Sequence, residues 1–199
     1  MPKNFCCKES GCLPINEITY RLLQEADIAP DMLNAFVWRQ EITREYRPRK
    51  RGGWRVVTLR RPRVEDKTRE QLRAFVKWDL LPMVFGRRVM GHRGAVFGAY
   101  DGARLVGFAF LRDKLLGEEQ LHSVGVLWVS ADRRREGIGR ELFRLCCEAA
   151  RAEGAERLYI STNPAAETQD FYRALGCVDA RRRVPEAGPK SDVPLEIAL

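Results

Sequence analysis

The segment Trp128–Leu142 reads WVSADRRREGIGREL, and it decides the fold. It begins at the end of an apolar stretch, continues through a charged turn, and places Gly137 and Gly139 directly before an amphipathic pattern. Glycine lets the backbone approach a ligand closely and adopt conformations that a Cβ disfavours. The first turn of a helix carries N–H groups without intrahelical partners and a partial positive charge. The segment therefore predicts a strand, a loop that binds phosphate oxygens, and a helix.

Two common phosphate-binding loops do not fit this segment. The ATPase pattern G-x-x-x-x-G-K-[ST] is absent, and the dinucleotide pattern G-x-G-x-x-G fails because position 142 is Leu. The pattern that fits is [R/Q]-x-x-G-x-[G/A], with Arg134, Gly137 and Gly139 at its defined positions. Because this pattern is short, its meaning depends on the elements around it.

Working outward, the chain mixes strand patterns with helix patterns. Asp101-Gly102 favours a hairpin turn between two of the strands, and Arg47–Gly53 is predicted to be a loop. The predicted strands are Ile18–Leu23, Trp54–Leu59, Ala95–Tyr100, Arg104–Leu111, Leu121–Val129, Leu158–Ser161, Cys177–Ala180 and Val193–Leu199. One helix is predicted to begin at Pro30 and Asp31, with Met32, Leu33, Phe36 and Val37 as its apolar face. The other predicted helices cover Lys67–Leu80, Gly139–Glu153 and Glu167–Leu175. This order predicts a lead-in over residues 1–14 and one mixed α/β (α+β) domain over residues 15–199.

A late segment, Phe171–Cys177, reads FYRALGC. Together with the Arg134 loop, its strand and its helix, it resembles the GNAT superfamily of N-acetyltransferases, in which this segment commonly reads F-Y-x-x-x-G-F. The resemblance covers residues 94–180 well and residues 15–93 only as a strand–helix–helix opening. It implies the GNAT acyl-CoA N-acyltransferase fold, a central mixed twisted sheet flanked by helices. It also implies transfer of an acetyl group from acetyl-CoA to a primary amine of a small molecule or a protein.

The resemblance assigns residues to acetyl-CoA. Backbone amides of the glycine loop would hold the pyrophosphate, the arginine that opens the motif would help to close the loop, and the preceding strand end would pair with the pantetheine arm. The assigned residues are Leu127, Trp128, Val129, Arg134, Arg135, Glu136, Gly137, Ile138, Gly139 and Arg140. The backbone near Val129 would also donate to the thioester oxyanion. Relatives often have an asparagine where this chain has Ala165, and Asn163, two residues earlier, is the candidate for that contact.

The resemblance also indicates catalytic residues. Tyr172 matches the family tyrosine that commonly protonates the departing thiolate, a role that suits a neutral phenol. Ser123 stands where many relatives have a carboxylate base. His122 beside it has a suitable ordinary pKa of about 6.5, although strand alternation places it on the other face. Glu118 and Glu119 are alternatives that would act through water, and an amine deprotonated in solution needs no base.

The acceptor pocket of this superfamily would correspond to parts of Phe36–Arg47, Trp54–Arg63 and Val184–Leu199. Trp38 and Trp54 are candidates to line it. Two readings other than acetyl transfer to an amine stay open: transfer of a longer acyl chain or to a hydroxyl, and an acyl-CoA-binding sensor or partner-binding module with degenerate catalytic machinery.

Composition and charge bear on the partners, metal sites, disulfides and membrane contacts that the chain could have. The formal net charge of +8 is compatible with a solvated basic surface or with attraction to a polyanion, and coenzyme A would be such a polyanion. The basic runs are scattered and not interleaved with aromatic residues, which disfavours nucleic acid. The spacing of the six cysteines and two histidines predicts neither a metal site nor disulfides. No apolar run approaches the roughly 18–20 residues that span a bilayer, so a cytoplasmic protein without membrane contact is expected. A homodimer is compatible with the sequence.

Overall fold

A computed structural model describes residues 17–81, 94–112 and 121–199. The strands are β1 (Thr19–Leu22), β2 (Arg39–Pro48), β3 (Trp54–Asp66), β4 (Gly94–Asp101), β5 (Arg104–Arg112), β6 (Leu121–Val129), β7 (Arg157–Thr162), β8 (Val178–Asp179) and β9 (Val193–Ala198). The helices are α1 (Arg69–Phe75), which continues as a π-helical turn over Val76–Leu80, α2 (Ile138–Ala152) and α3 (Ala166–Ala174). Short 3-10 turns cover Glu25–Asp27, Ala131–Arg133 and Pro185–Ala187.

Seven strands form one mixed sheet in the order β1-β4-β5-β6-β7-β9-β8. Only the central pair β6–β7 runs parallel within this order, because α2 carries the chain back between them. The two remaining strands, β2 and β3, form a separate antiparallel ribbon. This architecture is the predicted mixed sheet flanked by helices.

The two faces of the sheet bury different helices. On one face, the apolar stripe of α2, including Leu142 and Cys146, packs against Val106 and Val124. On the other face, Leu72 and Val76 of α1 and its π-helical turn pack with the strand residues Phe108 and Phe110. Each helix buries the face that its apolar periodicity predicts, and the sheet is covered on both sides.

The N-terminal part corrects the sequence prediction. Residues 30–35 form turns and not a helix, because the amides of Met32, Asn34 and Phe36 bond back three residues, to Ala29, Asp31 and Leu33. Leu33 and Phe36 are nevertheless buried, against α1. Their spacing imitates a helical face, whereas long-range packing buries them.

The ribbon was only partly predicted. Strand β3 is longer than the predicted strand Trp54–Leu59. Strand β2 was not predicted, and its last two residues belong to the predicted loop Arg47–Gly53. Only residues 49–53 of that loop form the turn. In β2 the buried side chains include Gln40 and Glu45 as well as Ile42, so the inward positions are not consistently apolar. A hydrophobic alternation rule therefore finds no strand there.

The other predicted elements agree with the structure within a few residues, and β6 matches at both ends. The lead-in over residues 1–14 and the alternatives Glu118 and Glu119 lie outside the described residues. Cys146, Cys147 and Cys177 are buried free thiols. No described helix is long and apolar enough to cross a membrane.

Candidate active site

A gap opens in the middle of the sheet. Strands β6 and β7 are paired from Leu121 opposite Arg157 to Val124 opposite Ile160, and their pairing ends there. At the same point β6 contains a bulge, because Phe110 of β5 faces Val126 and the next residue, Leu111, faces Val124. The extra residue on β6 is Gly125. A bulge bends its strand and increases the local twist, so the second half of β6 turns away from β7.

The loop before α2 closes one side of this gap. Two of its residues have a positive φ, Arg135 at 68° and Gly137 at 82°. Gly137 is the N-cap of α2. The first helical hydrogen bond runs from the amide of Glu141 to the carbonyl oxygen of Gly137, at 3.1 Å. The preceding amides of the first turn therefore have no partner within the helix. Gly137, Ile138, Gly139 and Arg140 line the gap, so these amides form a concave donor surface for an anion.

Side chains hold the loop in this shape. Arg133 pairs with Asp101 of the β4–β5 turn and, at 2.9 Å, with Glu136. Arg134 donates through Nε to the carbonyl oxygen of Val129 at 3.2 Å, and its guanidinium lies 5.3 Å from the centre of the Trp128 ring. Burial lowers the pKa of Arg134 from its ordinary value, although a guanidinium remains charged.

The gap continues into a cleft of about 910 Å³. Its floor is the second half of β6, and its walls are the α2 loop, the end of β7 and α3. Trp38, just before β2, stacks on Trp128 with ring centres 4.1 Å apart and an interplanar angle of 16°. Gln40 of β2 donates through Nε2 to the hydroxyl of Thr168 on α3 at 3.1 Å. The ribbon thus completes the wall of the cleft at one end.

Tyr172 of α3 lines the cleft and is buried. Only 4% of its surface is exposed, and its ring packs edge-on against Phe143, at 5.5 Å, and Phe171, at 4.9 Å. Burial, with smaller effects of Cys146 and Cys177, raises the pKa of Tyr172 well above its ordinary value. The phenol therefore keeps its proton at physiological pH and is available as a neutral donor.

The sequence of this region matches a family model. The Acetyltransferase (GNAT) family model matches residues 41–177. The chain belongs to the GNAT acetyltransferase family. None of the curated protein sequences is similar enough to match it.

Solved GNAT structures share the fold at low sequence identity. Nourseothricin acetyltransferase is 19% identical, with 91% of this chain and 98% of that one covered and a TM-score of 0.65. A candidate streptothricin acetyltransferase from Bacillus anthracis str. Ames, in complex with acetyl coenzyme A, is 13% identical, with 92% and 99% covered and a TM-score of 0.66. PaiA N-acetyltransferase from Thermoplasma acidophilum, in complex with coenzyme A, is 14% identical, with 92% and 99% covered and a TM-score of 0.55.

Most residues predicted from the GNAT resemblance come together in the cleft. Its lining includes Tyr172, Asn163 and a set of the predicted binding residues: Leu127, Trp128, Val129, Arg134, Arg135, Gly137, Ile138, Gly139 and Arg140. Among the described residues, Glu136 is absent from the lining, and its side chain points to Arg133 instead. Asn163 accepts from the amide of Ala165 at 3.2 Å through Oδ1, so part of its bonding capacity is used within the loop.

The two predicted base residues lie beside the cleft. Among the described residues, the lining of the cleft includes neither His122 nor Ser123. The His122 side chain is fully buried, and its Nδ1 lies 3.6 Å from Oε2 of Glu153, which follows α2. Ser123 is 1% exposed and, as its neighbour in the strand, faces the opposite side of the sheet. Their role in proton transfer stays a prediction.

Several cleft residues escaped the sequence analysis. Thr168 and Phe171 line the cleft, Gly125 supplies the bulge, and Gln40 was predicted only as part of the acceptor segment Phe36–Arg47. A glycine inside the strand pattern VGV was a usable signal for a bulge. Gly139 also has a second function, because a Cβ there would lie 3.3 Å from the Phe171 ring. No comparable local signal marks Gln40, since a distant hydrogen bond positions it.

Proposed function

We propose that this GNAT protein is an N-acetyltransferase that transfers the acetyl group of acetyl-CoA to a primary amine of a small molecule or a protein. The observation that carries the proposal is the continuity of one cleft. The anion-binding loop of α2, the separated strands β6 and β7, and the neutral phenol of Tyr172 all line it.

The cleft fits coenzyme A in three respects. The amides from Gly137 to Arg140, which have no partner within α2, and the arginines Arg134 and Arg135 suit a pyrophosphate. The second half of β6, released from β7, offers backbone groups that can pair with the amides of a pantetheine arm, along Leu127–Val129. Two solved neighbours hold acetyl coenzyme A or coenzyme A.

The residues also suit the chemistry. The amine nitrogen attacks the thioester carbonyl carbon, the carbonyl oxygen gains negative charge, and the carbon–sulfur bond then breaks. The backbone of β6 near Val129 would donate an N–H group to the oxyanion. Tyr172 would donate its proton to the departing thiolate, and the amine would lose a proton to His122 or to solvent. The predicted acid and base thus have roles that an assay can separate from acetyl-CoA binding.

A second candidate is an acyl-CoA-binding sensor without turnover. One observation favours it: the described residues that line the cleft include a single carboxylate, Glu167, and no histidine. A base positioned for the amine is therefore not evident among them. The neutral, buried Tyr172 favours the enzyme over the sensor, because a sensor has no need of a proton donor at this depth.

The first experiment is isothermal titration of the protein with acetyl-CoA, with coenzyme A as a comparison. A panel of primary amines is then assayed for release of free thiol, with a no-acceptor blank. Binding with amine-dependent thiol release supports the enzyme. Binding with no release on a panel of small amines and lysine peptides supports the sensor, and no binding contradicts both.

The cellular setting is part of the proposal. Three buried free thiols, Cys146, Cys147 and Cys177, are typical of a reducing compartment, which supports the cytoplasm. A homodimer stays a prediction.

A further inference from the structure

One charged side chain beside the cleft has no charged partner among the residues that the structure describes. Arg112 ends β5 and is half-buried. Among the described residues, no carboxylate forms an ion pair with it, and its burial lowers the pKa of the guanidinium with no charged neighbour to offset the effect. Burying a charge without a partner is unfavourable, and such a group is usually paired. An arginine kept in this state is suited to an anion that arrives from outside the protein.

Ser123, which lies opposite Arg112, also lacks a partner among the described residues. The register of β5 and β6 places Arg112 directly across from Ser123, so the two side chains share one face of the sheet. Ser123 is 1% exposed, and within the described part of the chain its hydroxyl has no hydrogen-bond partner. A buried hydroxyl without a partner also costs free energy. Two donors that lack a partner within the described ranges therefore lie side by side on neighbouring strands.

These donors lie at the point where the sheet opens. A Cβ built on Gly125, the bulge residue that lines the cleft, would lie 3.1 Å from Nε of Arg112 and 2.7 Å from Cδ1 of Phe110. The missing side chain lets the guanidinium lie against the β6 backbone. Phe110 belongs to the core on the α1 face, whereas the pyrophosphate loop precedes α2 on the other face. Arg112 is thus separated by the sheet from the proposed coenzyme A loop.

We propose that Arg112 and Ser123 form a subsite for the carboxylate of the acceptor, so that the preferred acceptors are primary amines that carry a carboxylate, such as amino acids. This inference rests on the proposed acetyl transfer and names its substrate class. The guanidinium would donate two parallel N–H bonds to the carboxylate oxygens, and the Ser123 hydroxyl would donate a third bond. One guanidinium with one hydroxyl matches a singly charged carboxylate better than a phosphate dianion.

The test uses matched acceptors that differ only in the carboxylate, L-lysine against cadaverine and L-ornithine against putrescine. Free thiol release gives kcat/KM for each, and titration gives the acetyl-CoA Kd. We expect the wild type to prefer the amino acids. Arg112→Gln should lower kcat/KM for them by about 10- to 100-fold, mainly through KM. The same variant should leave kcat/KM for the decarboxylated amines and the Kd for acetyl-CoA unchanged.

Two further variants separate binding from folding. Arg112→Lys keeps the charge but loses the planar fork, so it should restore part of the preference. Ser123→Ala should lower kcat/KM for the amino acids by about 3- to 10-fold. The Tm of Arg112→Gln should stay equal or rise, because the variant removes an unpaired half-buried charge. If Arg112 had only a structural role, Arg112→Gln would instead lower the Tm and reduce kcat/KM for every acceptor alike.

The outcomes distinguish this inference from the proposed function. If acetyl-CoA binds and amines are acetylated without preference for the carboxylate, the subsite is overturned and the acetyltransferase stands. A preference for phosphorylated amines would also overturn the carboxylate subsite. If the wild type fails to bind acetyl-CoA, the proposed function falls, and the subsite falls with it.

Discussion

The cleft and the β2–β3 ribbon are built in different ways. The elements around the cleft follow one another along the chain from β6 to α3, and each is defined by local signals such as the glycines of the α2 loop. The ribbon depends on contacts far along the chain. The amide of Tyr46 bonds to the carbonyl of Pro164 at 2.7 Å, and its hydroxyl donates to Asp170 at 3.1 Å. Local geometry therefore defines the binding loop, whereas tertiary contacts define the wall opposite it.

The ribbon also differs from the cleft because it carries most of the net positive charge of the chain. From Arg39 to Asp66 the ribbon contains ten basic and four acidic residues, a net charge of +6 in a chain of +8. Basic runs that are scattered in the sequence are thus joined in one hairpin, and its register places Arg47 directly opposite Arg55. Like charges across a strand pair are unfavourable. We expect the loop to act on an anion by contact and the exposed basic residues of the ribbon to act on it through their field.

The largest expected effect comes from Gly137→Val. A β-branched residue is strained at a φ of 82°, and a side chain there enters the open cleft. We expect acetyl-CoA affinity to fall at least about 100-fold, since the amides of the first helical turn lose their ligand geometry. Titration with acetyl-CoA checks the result.

Gly154→Val is the matched control for this variant. Gly154 has a φ of 84° just beyond the other end of α2, and nothing lies within 4 Å of a Cβ built on it. Both substitutions introduce similar backbone strain, so both should lower the Tm by a similar amount. Only Gly137→Val should lose acetyl-CoA. Equal affinities in the two variants would contradict the assignment of the loop.

The next effect in size is that of Tyr172→Phe. Removing the hydroxyl should lower kcat by about 10- to 100-fold and leave the acetyl-CoA Kd unchanged, because the proton is needed only when the thiolate departs. Burial raises the pKa of Tyr172, so the wild-type rate should show no loss from this group as the pH rises toward 10. A loss of rate that follows a phenol titrating near its ordinary value would argue against the buried acid.

Tyr159→Phe is the control for that variant. Tyr159 is equally buried, but its hydroxyl accepts the amide of Val184 at 3.1 Å. Loss of this bond should cost about 1 kcal/mol and lower the Tm by roughly 2–4 °C without changing kcat. If Tyr172→Phe behaved in the same way, Tyr172 would be a core residue and not the acid.

The difference between the regions explains what the sequence revealed. Strand β6, the α2 loop and Tyr172 could be predicted because glycine, helix amphipathicity and the FYRALGC segment act over a few residues. The helix expected near Pro30 was wrong, because Leu33 and Phe36 are spaced like a helical face but are buried by a distant helix. The pair Arg112–Ser123 could not be found, since it depends on the register of two strands and on the bulge between them.

A smaller effect is expected where the ribbon meets the cleft. Gln40→Ala removes the 3.1 Å hydrogen bond to Thr168, which is partly buried. We expect a loss of about 1 kcal/mol in stability and a rise of roughly 2- to 5-fold in the acceptor KM, because the ribbon is then less firmly held on α3. The acetyl-CoA Kd should not change. A larger effect on acetyl-CoA than on the acceptor would mean that Gln40 serves the coenzyme.

The smallest effect tests the field of the ribbon. The tip residues Arg49, Lys50 and Arg51 are exposed, and a triple serine variant lowers the ribbon charge from +6 to +3. Because coenzyme A is a polyanion, we expect stopped-flow association of acetyl-CoA to slow by about 2- to 5-fold at ~0.01 M salt, where the screening length is about 30 Å. The difference should vanish at ~0.5 M salt, and dissociation should be the same in both proteins. A change in dissociation at either salt concentration would show that the tip contacts the ligand, and the contrast between a contact region and a field region would then fail.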